Sequence, residues 1–168
     1  MSKILIQASP RTGKSTLLDR ITNEIRLKRG FLTKEVCSAN QRTGFKVVSS
    51  NGDEEVIASR YFATGPQVSK YRIDIPTFEL VLEPLFEVQP DELLYIDEIG
   101  EMQFHSTVFQ PLVEKYISYN NPFLGTLSLV YSNDFTRTLR ERRDISVIQL
   151  TLENRDEIYE FIRKEFKL

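Results

Sequence analysis

Residues 3–16 combine an apolar run, a short polar loop and the start of an amphipathic stretch, and this order constrains the fold more than any other part of the chain. Ile4–Ile6 precede the loop. Apolar side chains recur at helical spacing after it, at Leu17, Leu18, Ile21 and Ile25. A strand, a loop and a helix in this order form the context in which a Gly-Lys-Ser sequence indicates a phosphate-binding loop.

The loop itself reads Ala-Ser-Pro-Arg-Thr-Gly-Lys-Ser-Thr, close to the G-x-x-x-x-G-K-[ST] pattern. In such a loop the backbone N–H groups and the helix N-terminus face the phosphates. Lys14 would reach the β- and γ-phosphates, and the Ser15 hydroxyl would ligate Mg²⁺. We therefore predict a nucleotide-binding set of Ala8, Ser9, Pro10, Arg11, Thr12, Gly13, Lys14, Ser15 and Thr16.

Two positions of the loop depart from the pattern. Ala8 replaces the first glycine, and Arg11 is bulky for its place. Arg11 has two open interpretations: it leans over the γ-phosphate and adds positive charge, or it points into solvent. The competing interpretation of the whole loop is a chance Gly-Lys-Ser at a helix start.

Composition and charge exclude several classes of protein. The 168 residues carry 22 Lys and Arg against 24 Asp and Glu, a net charge of −2, which argues against nucleic-acid binding. The basic cluster at 137–143 is interrupted by acidic residues and indicates a solvated helix face. Cys37 is the one cysteine, so no intrachain disulfide can form. No run reaches membrane-spanning length and no signal-peptide pattern opens the chain, so we expect a cytoplasmic protein away from membranes. The oligomeric state stays open.

Strand and helix patterns alternate along most of the chain. We predict an α/β fold, namely a mainly parallel sheet flanked by helices, as one domain over residues 1–168. Its expected strands are 3–8, 93–96, 123–130 and 147–150. Its expected helices are 15–29, ended by Gly30, then stretches near 78–86 and 108–117, a short helix after Asn133-Asp134, and a last helix with Ile158, Phe161, Ile162 and Phe166 on one face. An antiparallel hairpin insert is expected at about 31–60, with its turn at Asn51-Gly52.

Asp97 and Glu98 end the apolar strand that begins at Leu93. In a phosphate-loop protein an Asp at this place holds Mg²⁺, and a neighbouring Glu orients or deprotonates the attacking water. The carboxyl ends of parallel strands meet at one sheet edge, so the pair should face the loop at 8–16. The competing interpretation is a solvated cap of the strand.

Several motifs in order along the chain resemble one family. Asp97-Glu98-Ile99-Gly100-Glu101-Met102 is similar to the signature of the small P-loop nucleoside-triphosphatases of thermophiles and of the human cancer-related nucleoside-triphosphatase. Further matches are Arg42-Thr-Gly-Phe45, Tyr71-Arg-Ile-Asp74 with Phe78-Glu79, and Thr151-Leu-Glu-Asn-Arg-Asp156. The resemblance implies a RecA-like fold and Mg²⁺-dependent hydrolysis of nucleoside triphosphates with broad base tolerance. Ala8, Arg11, Cys37 and the Thr126-Leu-Ser128 stretch depart from the family pattern and bear on rate and substrate preference.

Other candidate residues keep two interpretations each. Asn154 and Arg155 are candidates for contacting the base or ribose, and Asn154, with Glu157 three residues later, also has the form of a helix cap. Arg42 either stabilises transition-state charge or lies on the hairpin surface. One of Arg137, Arg140 and Arg143 is a further candidate for the γ-phosphate. His105, the sole histidine, is expected at the surface.

We therefore predict a phosphohydrolase of ATP, GTP and related nucleotides, with Lys14 and Glu98 catalytic and Ser15 and Asp97 holding Mg²⁺. Two rivals remain. The first is a nucleotide or nucleoside kinase, in which the arginines of segment 137–143 would form a lid over the acceptor. The second is a nucleotide-binding partner protein with little hydrolysis.

Overall fold

A computed structural model describes residues 2–168, so Met1 of the predicted domain lies outside the described residues. Nine strands form one sheet, at β1 (Lys3–Ala8), β2 (Lys28–Ser38), β3 (Gln41–Ser49), β4 (Glu54–Ser59), β5 (Gln67–Val68), β6 (Tyr71–Ile73), β7 (Leu93–Ile99), β8 (Phe123–Ser128) and β9 (Ser146–Gln149). Five α-helices flank it, at α1 (Lys14–Asn23), α2 (Ile75–Leu82), α3 (Phe109–Ser118), α4 (Asp134–Glu141) and α5 (Arg155–Phe166).

The sheet has a parallel half and an antiparallel half. Its strand order is β5-β6-β4-β3-β2-β7-β8-β1-β9. From β2 to β9 all neighbours are parallel, whereas β2, β3, β4, β6 and β5 pair antiparallel. This arrangement confirms the predicted α/β class, and it makes the hairpin a direct extension of the main sheet through β2.

Helices cover both faces of the parallel half. Helices α2, α3 and α4 pack with one apolar cluster, whose largest members include Phe31, Phe78, Phe109 and Phe123. Helices α1 and α5 pack with a second cluster on the other face, around Ile4, Ile6, Leu18 and Ile162. The strands β1, β7 and β8 are apolar on both faces because helices bury both sides of them.

The first helix is shorter than the apolar spacing predicts. It ends at Asn23, six residues before the predicted end, and Lys28 already begins β2. Gly30 does not end a helix: it lies within β2 with φ +151°, and a Cβ there would stand 1.8 Å from the Tyr95 carbonyl oxygen. The glycine therefore allows β2 to approach β7, and this pairing overrides the local helical pattern.

Other boundaries also shift. The strand predicted to reach Val130 ends at Ser128, and α3 begins at Phe109, one residue after the predicted start. Phe161 was expected on the buried face of α5 but is 42% exposed. Pro84 lies in a separate 3₁₀ turn, Glu83–Phe86, because a proline cannot continue the α-helical hydrogen bonds.

The turn between β3 and β4 is as predicted. Gly52 has φ +88°, and its N–H donates to the Ser49 carbonyl oxygen at 3.0 Å. The region 60–75, which the sequence pattern leaves without assignment, contains the short strands β5 and β6. None of the helices within residues 2–168 combines the length and the apolar character needed to cross a membrane.

Candidate active site

A cleft of about 750 Å³ opens at the carboxyl edge of the sheet. Its lining comes from the loop before α1, the ends of β2 and β7, the segment after β7, the segment after β8, and the hairpin. The right-handed crossovers of a parallel sheet bring these strand ends together. The cleft therefore collects the residues that the sequence separates by more than 100 positions.

The loop at 8–16 turns sharply just before α1. Gly13 has φ +91° and serves as the N-cap residue of the helix, and Arg11 also has a positive φ, of 65°. The Thr12 hydroxyl donates to the Ser9 carbonyl oxygen at 2.7 Å, which closes the loop. The unpaired N–H groups of the helix start are then free to face an anion in the cleft.

Lys14, the first residue of α1, forms an ion pair with Glu98. Its Nζ lies 3.5 Å from the Ala8 carbonyl oxygen, so the side chain folds back across the loop. Gly100 makes room for this arrangement, because a Cβ there would stand 2.7 Å from Glu98 Oε1. The structure thus joins the predicted phosphate-binding amine and the predicted base in one pair.

Asp97 is completely buried, and each of its carboxylate oxygens accepts a hydrogen bond. Thr126 Oγ1 donates to Oδ1 at 2.6 Å, and the Thr33 N–H donates to Oδ2 at 3.2 Å. The Thr33 hydroxyl also donates to the Asp97 carbonyl oxygen. These contacts fix the carboxylate at the end of β7.

Burial raises the pKa of Asp97 to about 6. Hydrogen bonds from the Thr126 and Ser15 hydroxyls oppose the shift in pKa, while the nearby Glu98 charge adds to it. The Ser15 side chain is therefore close to the Asp97 carboxylate, and both residues line the cleft. The two predicted metal ligands, from α1 and from β7, meet in the cleft.

Thr33 and Thr126 are functional candidates that the sequence analysis did not identify. A usable signal existed for Thr126, which lies in a strand, β8, whose six residues are all buried. A hydroxyl in such a strand needs a hydrogen-bond partner. No comparable signal marks Thr33, because its role depends on the pairing of β2 with β7.

Arg42 lies in the wall of the cleft. Its Nε donates to the Tyr71 hydroxyl at 2.9 Å, and its Nη1 donates to Glu35 Oε1 at 3.0 Å. The guanidinium also stacks on the Phe45 ring, 4.9 Å from the centroid. These hydrogen bonds hold the pKa of Arg42 above its usual value, with the Tyr71 bond the largest cause.

Three other arginines lie away from the cleft lining. Arg140 donates to Gln7 Oε1 at 3.2 Å and to the Ser128 carbonyl oxygen at 2.8 Å, which ties α4 to the ends of β1 and β8. Arg137 pairs with Asp134 beside it on α4. Arg143 is exposed, and none of Arg137, Arg140 and Arg143 is among the described residues that line the cleft.

Asn154 and Arg155 follow β9. Arg155 adjoins the loop at Gly13, and neither residue is among the described residues that line the cleft. The Asn154 side chain accepts from the Thr151 N–H at 2.7 Å and donates to the Gln149 carbonyl oxygen at 3.0 Å, so it shapes its own loop. The predicted capping pair with Glu157 is wrong, because Asn154 occupies the N-cap position without a side-chain bond to the helix. Arg155 Nη1 lies 3.4 Å from the place of a Cβ on Gly13.

Ser15 and Asp97 are oxygen ligands of the kind that Mg²⁺ prefers. Within residues 2–168 no group of three or more His, Cys, Asp and Glu side chains could hold a metal ion by itself. Mg²⁺ usually binds through one or two protein ligands together with substrate phosphates. The donor set therefore suits a metal that arrives with a nucleotide.

The profile of a protein family described as NTPase matches residues 3–163, almost the whole chain. The chain belongs to the NTPase family. Among its relatives, a nucleoside-triphosphatase THEP1 from Methanocaldococcus jannaschii is 31% identical over 167 residues, covering 95% of this chain and 94% of that protein. One from Thermotoga maritima is 29% identical over 160 residues, covering 93% of this chain and 90% of that protein.

Two solved structures share the fold of this chain. The crystal structure of THEP1 from the hyperthermophile Aquifex aeolicus superposes with a TM-score of 0.89 at 28% identity, covering 99% of both chains. The solution structure of a human cancer-related nucleoside triphosphatase gives a TM-score of 0.80 at 25% identity, covering 98% of this chain and 96% of that one. The predicted family is confirmed.

Proposed function

We propose that this chain hydrolyses nucleoside triphosphates to diphosphates and phosphate, with Mg²⁺ as the cofactor. The single observation that carries the proposal is the meeting of Lys14, Ser15, Asp97 and Glu98 in one cleft. Family membership supports the nucleoside triphosphate as substrate. The whole chain acts as one nucleotide-binding unit, since all of the described strands join one sheet.

The backbone N–H groups of residues 9–15 and the Lys14 amine bind the phosphates. Gly13 lets the backbone come close to a phosphate, since it has no side chain and already adopts a left-handed conformation. Lys14 exchanges Glu98 for the β- and γ-phosphates when the nucleotide binds. Substrate binding therefore also frees the carboxylate of Glu98 for its own step.

Ser15 and Asp97 would hold the metal ion beside the phosphates. The Thr126 hydroxyl and the Thr33 N–H keep the Asp97 carboxylate in a fixed orientation. A divalent cation bound there would favour the ionised form of Asp97. The metal supplies Lewis-acid stabilisation of the phosphates when it is bound.

Glu98 acts as the general base. It accepts a proton from water, the water oxygen bonds to the γ-phosphorus, and the bond from that phosphorus to the bridging oxygen breaks, so the nucleoside diphosphate leaves. Arg11 lines the cleft at the loop and adds positive charge near the γ-phosphate.

Base recognition is weak in this proposal. Arg155 lies against Gly13, where its planar guanidinium can stack on any nucleobase. The Asn154 side-chain amide already forms hydrogen bonds with Thr151 and Gln149, so it has little capacity to bind the edge of a base. We therefore expect ATP, GTP, CTP and UTP to be accepted with similar kcat/KM.

Phosphate release from ATP, GTP, CTP and UTP, with Mg²⁺ and with EDTA, tests the proposal. Release should require Mg²⁺, and Glu98→Gln should lower kcat by about 10²- to 10⁴-fold, the usual contribution of a general base. The control Glu87→Gln changes an exposed carboxylate outside the cleft and should behave as the unmodified protein. Nucleotide binding with only background turnover would contradict hydrolysis and favour a nucleotide-binding partner protein.

A further inference from the structure

One buried side chain in the cleft has no task in the proposed function. Gln103 is only 4% exposed, and it begins the short 3₁₀ turn Gln103–His105 that follows β7. It also lines the cleft. Its side-chain amide makes no hydrogen bond to any residue that the structure describes. Burying an amide without a partner is costly, so this side chain needs an explanation.

The unpaired amide of Gln103 faces open space. Among the residues that the structure describes, every fully enclosed nitrogen or oxygen of a buried side chain has a hydrogen-bond partner. The polar atoms of Gln103 have none, so they are not fully enclosed. The open space that this residue borders is the cleft, and its amide is therefore available to a molecule bound there.

The amide oxygen of Gln103 lies near one oxygen of the Glu98 carboxylate. A Cβ on Gly100 would stand 2.7 Å from Glu98 Oε1 and 3.3 Å from Gln103 Oε1, so both oxygens border the same small space. The other carboxylate oxygen, Glu98 Oε2, pairs with Lys14. The two oxygens of Glu98 therefore have different neighbours, the phosphate-binding amine at Oε2 and the Gln103 amide near Oε1.

Gly100 keeps the space beside Glu98 and Gln103 free. Its φ is not positive, so its backbone conformation does not by itself require glycine. A larger residue would instead bring a Cβ closer to Glu98 Oε1 than side chains normally approach, and into tight contact with Gln103 Oε1. The absence of a side chain at this position therefore leaves both oxygens accessible.

The turn that carries Gln103 is held in place by its neighbours. Phe104 packs edge-on against Phe109, with ring centroids 5.3 Å apart. The Ser106 hydroxyl donates to Glu79 Oε1 at 2.9 Å, and the Ser106 N–H donates to the Gln103 carbonyl oxygen at 3.1 Å. These contacts fix the backbone of the turn, so the Gln103 side chain is presented to the cleft from a rigid element.

Two acceptor oxygens on one small space suit a water molecule that is to attack. A carboxylate is an acceptor only, and the oxygen of an amide side chain is also an acceptor. A water molecule can donate one hydrogen to each of them, which leaves its lone pairs free for the phosphorus. A nucleophile held in this way reacts faster, because its orientation no longer has to be found during the reaction.

We propose that Gln103 is a further catalytic residue, whose amide oxygen holds the attacking water together with Glu98 Oε1. The proposal rests on the proposed function, because it concerns the same hydrolysis. One proton of the water passes to Glu98, and the other stays in the hydrogen bond to Gln103. The water oxygen bonds to the γ-phosphorus, the bond from that phosphorus to the bridging oxygen breaks, and the nucleoside diphosphate leaves.

Gln103→Met tests the proposal, because methionine has a similar size and no amide. The variant should lower kcat for ATP with Mg²⁺ by about 10²-fold, while the KM for ATP and the Kd of a non-hydrolysable ATP analogue stay within about twofold. Gln89→Met makes the same change at an exposed position outside the cleft and should alter none of these values. If the methionine variant does not fold, Gln103→Asn keeps an amide but withdraws it by one methylene, and it should lower kcat in the same direction.

A double variant shows whether Gln103 and Glu98 act on the same water. Without the Glu98 carboxylate no base takes the proton, so adding Gln103→Met to Glu98→Ala should lower kcat by no more than about a further twofold. Effects that multiply, or an analogue Kd that rises about tenfold in Gln103→Met, would overturn the proposal and assign Gln103 to the phosphates. An unchanged kcat in the folded Gln103 variants would also overturn it. Absence of Mg²⁺-dependent phosphate release from the unmodified protein would instead contradict the proposed function.

Discussion

The two ends of the parallel sheet both bury ionised side chains, but they use them differently. At the amino end, Arg29 and Glu92 form a bidentate pair with both hydrogen bonds at 2.8 Å. At the carboxyl end, Asp97 is buried beside Ser15 without a cationic partner of its own, and Lys14 pairs with Glu98. The charges at the amino end neutralise each other within the protein. At the carboxyl end, the Asp97 carboxylate gains a cationic partner only when a ligand supplies one.

Hydrogen bonding around the two ends of the sheet differs in the same way. Glu92 also accepts the Gln89 N–H at 2.9 Å, and the Asn121 amide donates to the Gln89 and Glu92 carbonyl oxygens, both at 3.0 Å. These bonds join the segments that enter β7 and β8. By contrast, the cleft at the other end leaves the N–H groups before α1 facing open space.

The pKa values of Glu92 and Asp97 shift in opposite directions at the two ends of the sheet. Burial alone would raise the pKa of Glu92, but the hydrogen bonds from Arg29 and from the Gln89 N–H hold it below its usual value. Burial raises the pKa of Asp97 to about 6, because its hydroxyl and amide donors do not offset the lost solvation. At neutral pH, Glu92 at the amino end therefore stabilises the folded protein. Asp97 at the carboxyl end lowers the stability of the ligand-free protein and favours binding of a cationic ligand.

Lys14→Met should give the largest effect and only on activity. Removing the phosphate-binding amine should lower kcat/KM for ATP by about 10³-fold, or about 4 kcal/mol. The free energy of unfolding should change by less than about 1 kcal/mol, because the pair with Glu98 is partly exposed. Steady-state phosphate release and urea unfolding measure the two quantities. Lys164→Met, on the exposed side of α5, is the control and should leave both unchanged.

The features of both sheet ends that depend on local pattern could be predicted from the sequence. The loop at 8–16, the carboxylates at the end of β7 and the turn at Asn51-Gly52 are all short, contiguous signals. The structure brings the first two together at one edge because a parallel sheet aligns the ends of its strands.

The remainder depends on contacts between distant segments. Arg29 and Glu92 lie 63 positions apart, and the sequence around each residue does not indicate that the two form a pair. Thr33 and Thr126 reach Asp97 only because β2 and β8 flank β7. The early end of α1 has the same origin, since Lys28 pairs with Leu93 although the local pattern continues as a helix to Ile25.

Glu92→Gln should give the next largest effect and only on stability. Glutamine has only one oxygen acceptor and no charge, so it cannot accept both Arg29 hydrogen bonds or neutralise the guanidinium. The free energy of unfolding should therefore fall by about 2 to 3 kcal/mol. Activity below the unfolding transition should remain within about twofold. Urea unfolding at pH 7 measures the change, and Glu141→Gln, at an exposed position on α4, is the control.

The pH dependence of Glu92 has a definite sign. Its pKa is lower in the folded than in the unfolded protein, so its contribution is present above the unfolded value and is lost as the pH falls through the lower, folded value. The gap between the unmodified protein and Glu92→Gln should therefore narrow on acidification below about pH 4.5. A gap that widens in acid would contradict this assignment.

Asp97→Asn should show the opposite pH dependence. The folded pKa of Asp97, about 6, exceeds the ordinary value, so the unmodified protein loses stability as the pH rises through this interval. The variant lacks this loss, and its stability relative to the unmodified protein should rise by about 2 kcal/mol between pH 4 and pH 7. Urea unfolding in EDTA without nucleotide measures it, and Mg²⁺-dependent phosphate release should be lost in the same variant. A pH-independent difference would show that Asp97 carries no raised pKa.

Thr126→Val should give the smallest effect and would sharpen the comparison most. The valine keeps the shape of the buried side chain but removes the hydroxyl that donates to Asp97 at 2.6 Å. If this hydroxyl orients a metal ligand, the Mg²⁺ concentration for half-maximal activity should rise by about tenfold, or about 1.4 kcal/mol, with kcat at saturating Mg²⁺ nearly unchanged. Thr126→Ser retains the donor and should restore the unmodified Mg²⁺ dependence. A loss of kcat that excess Mg²⁺ and the serine variant both fail to recover would mean that Thr126 serves only packing, and the carboxyl end would then resemble the amino end more closely than we argue.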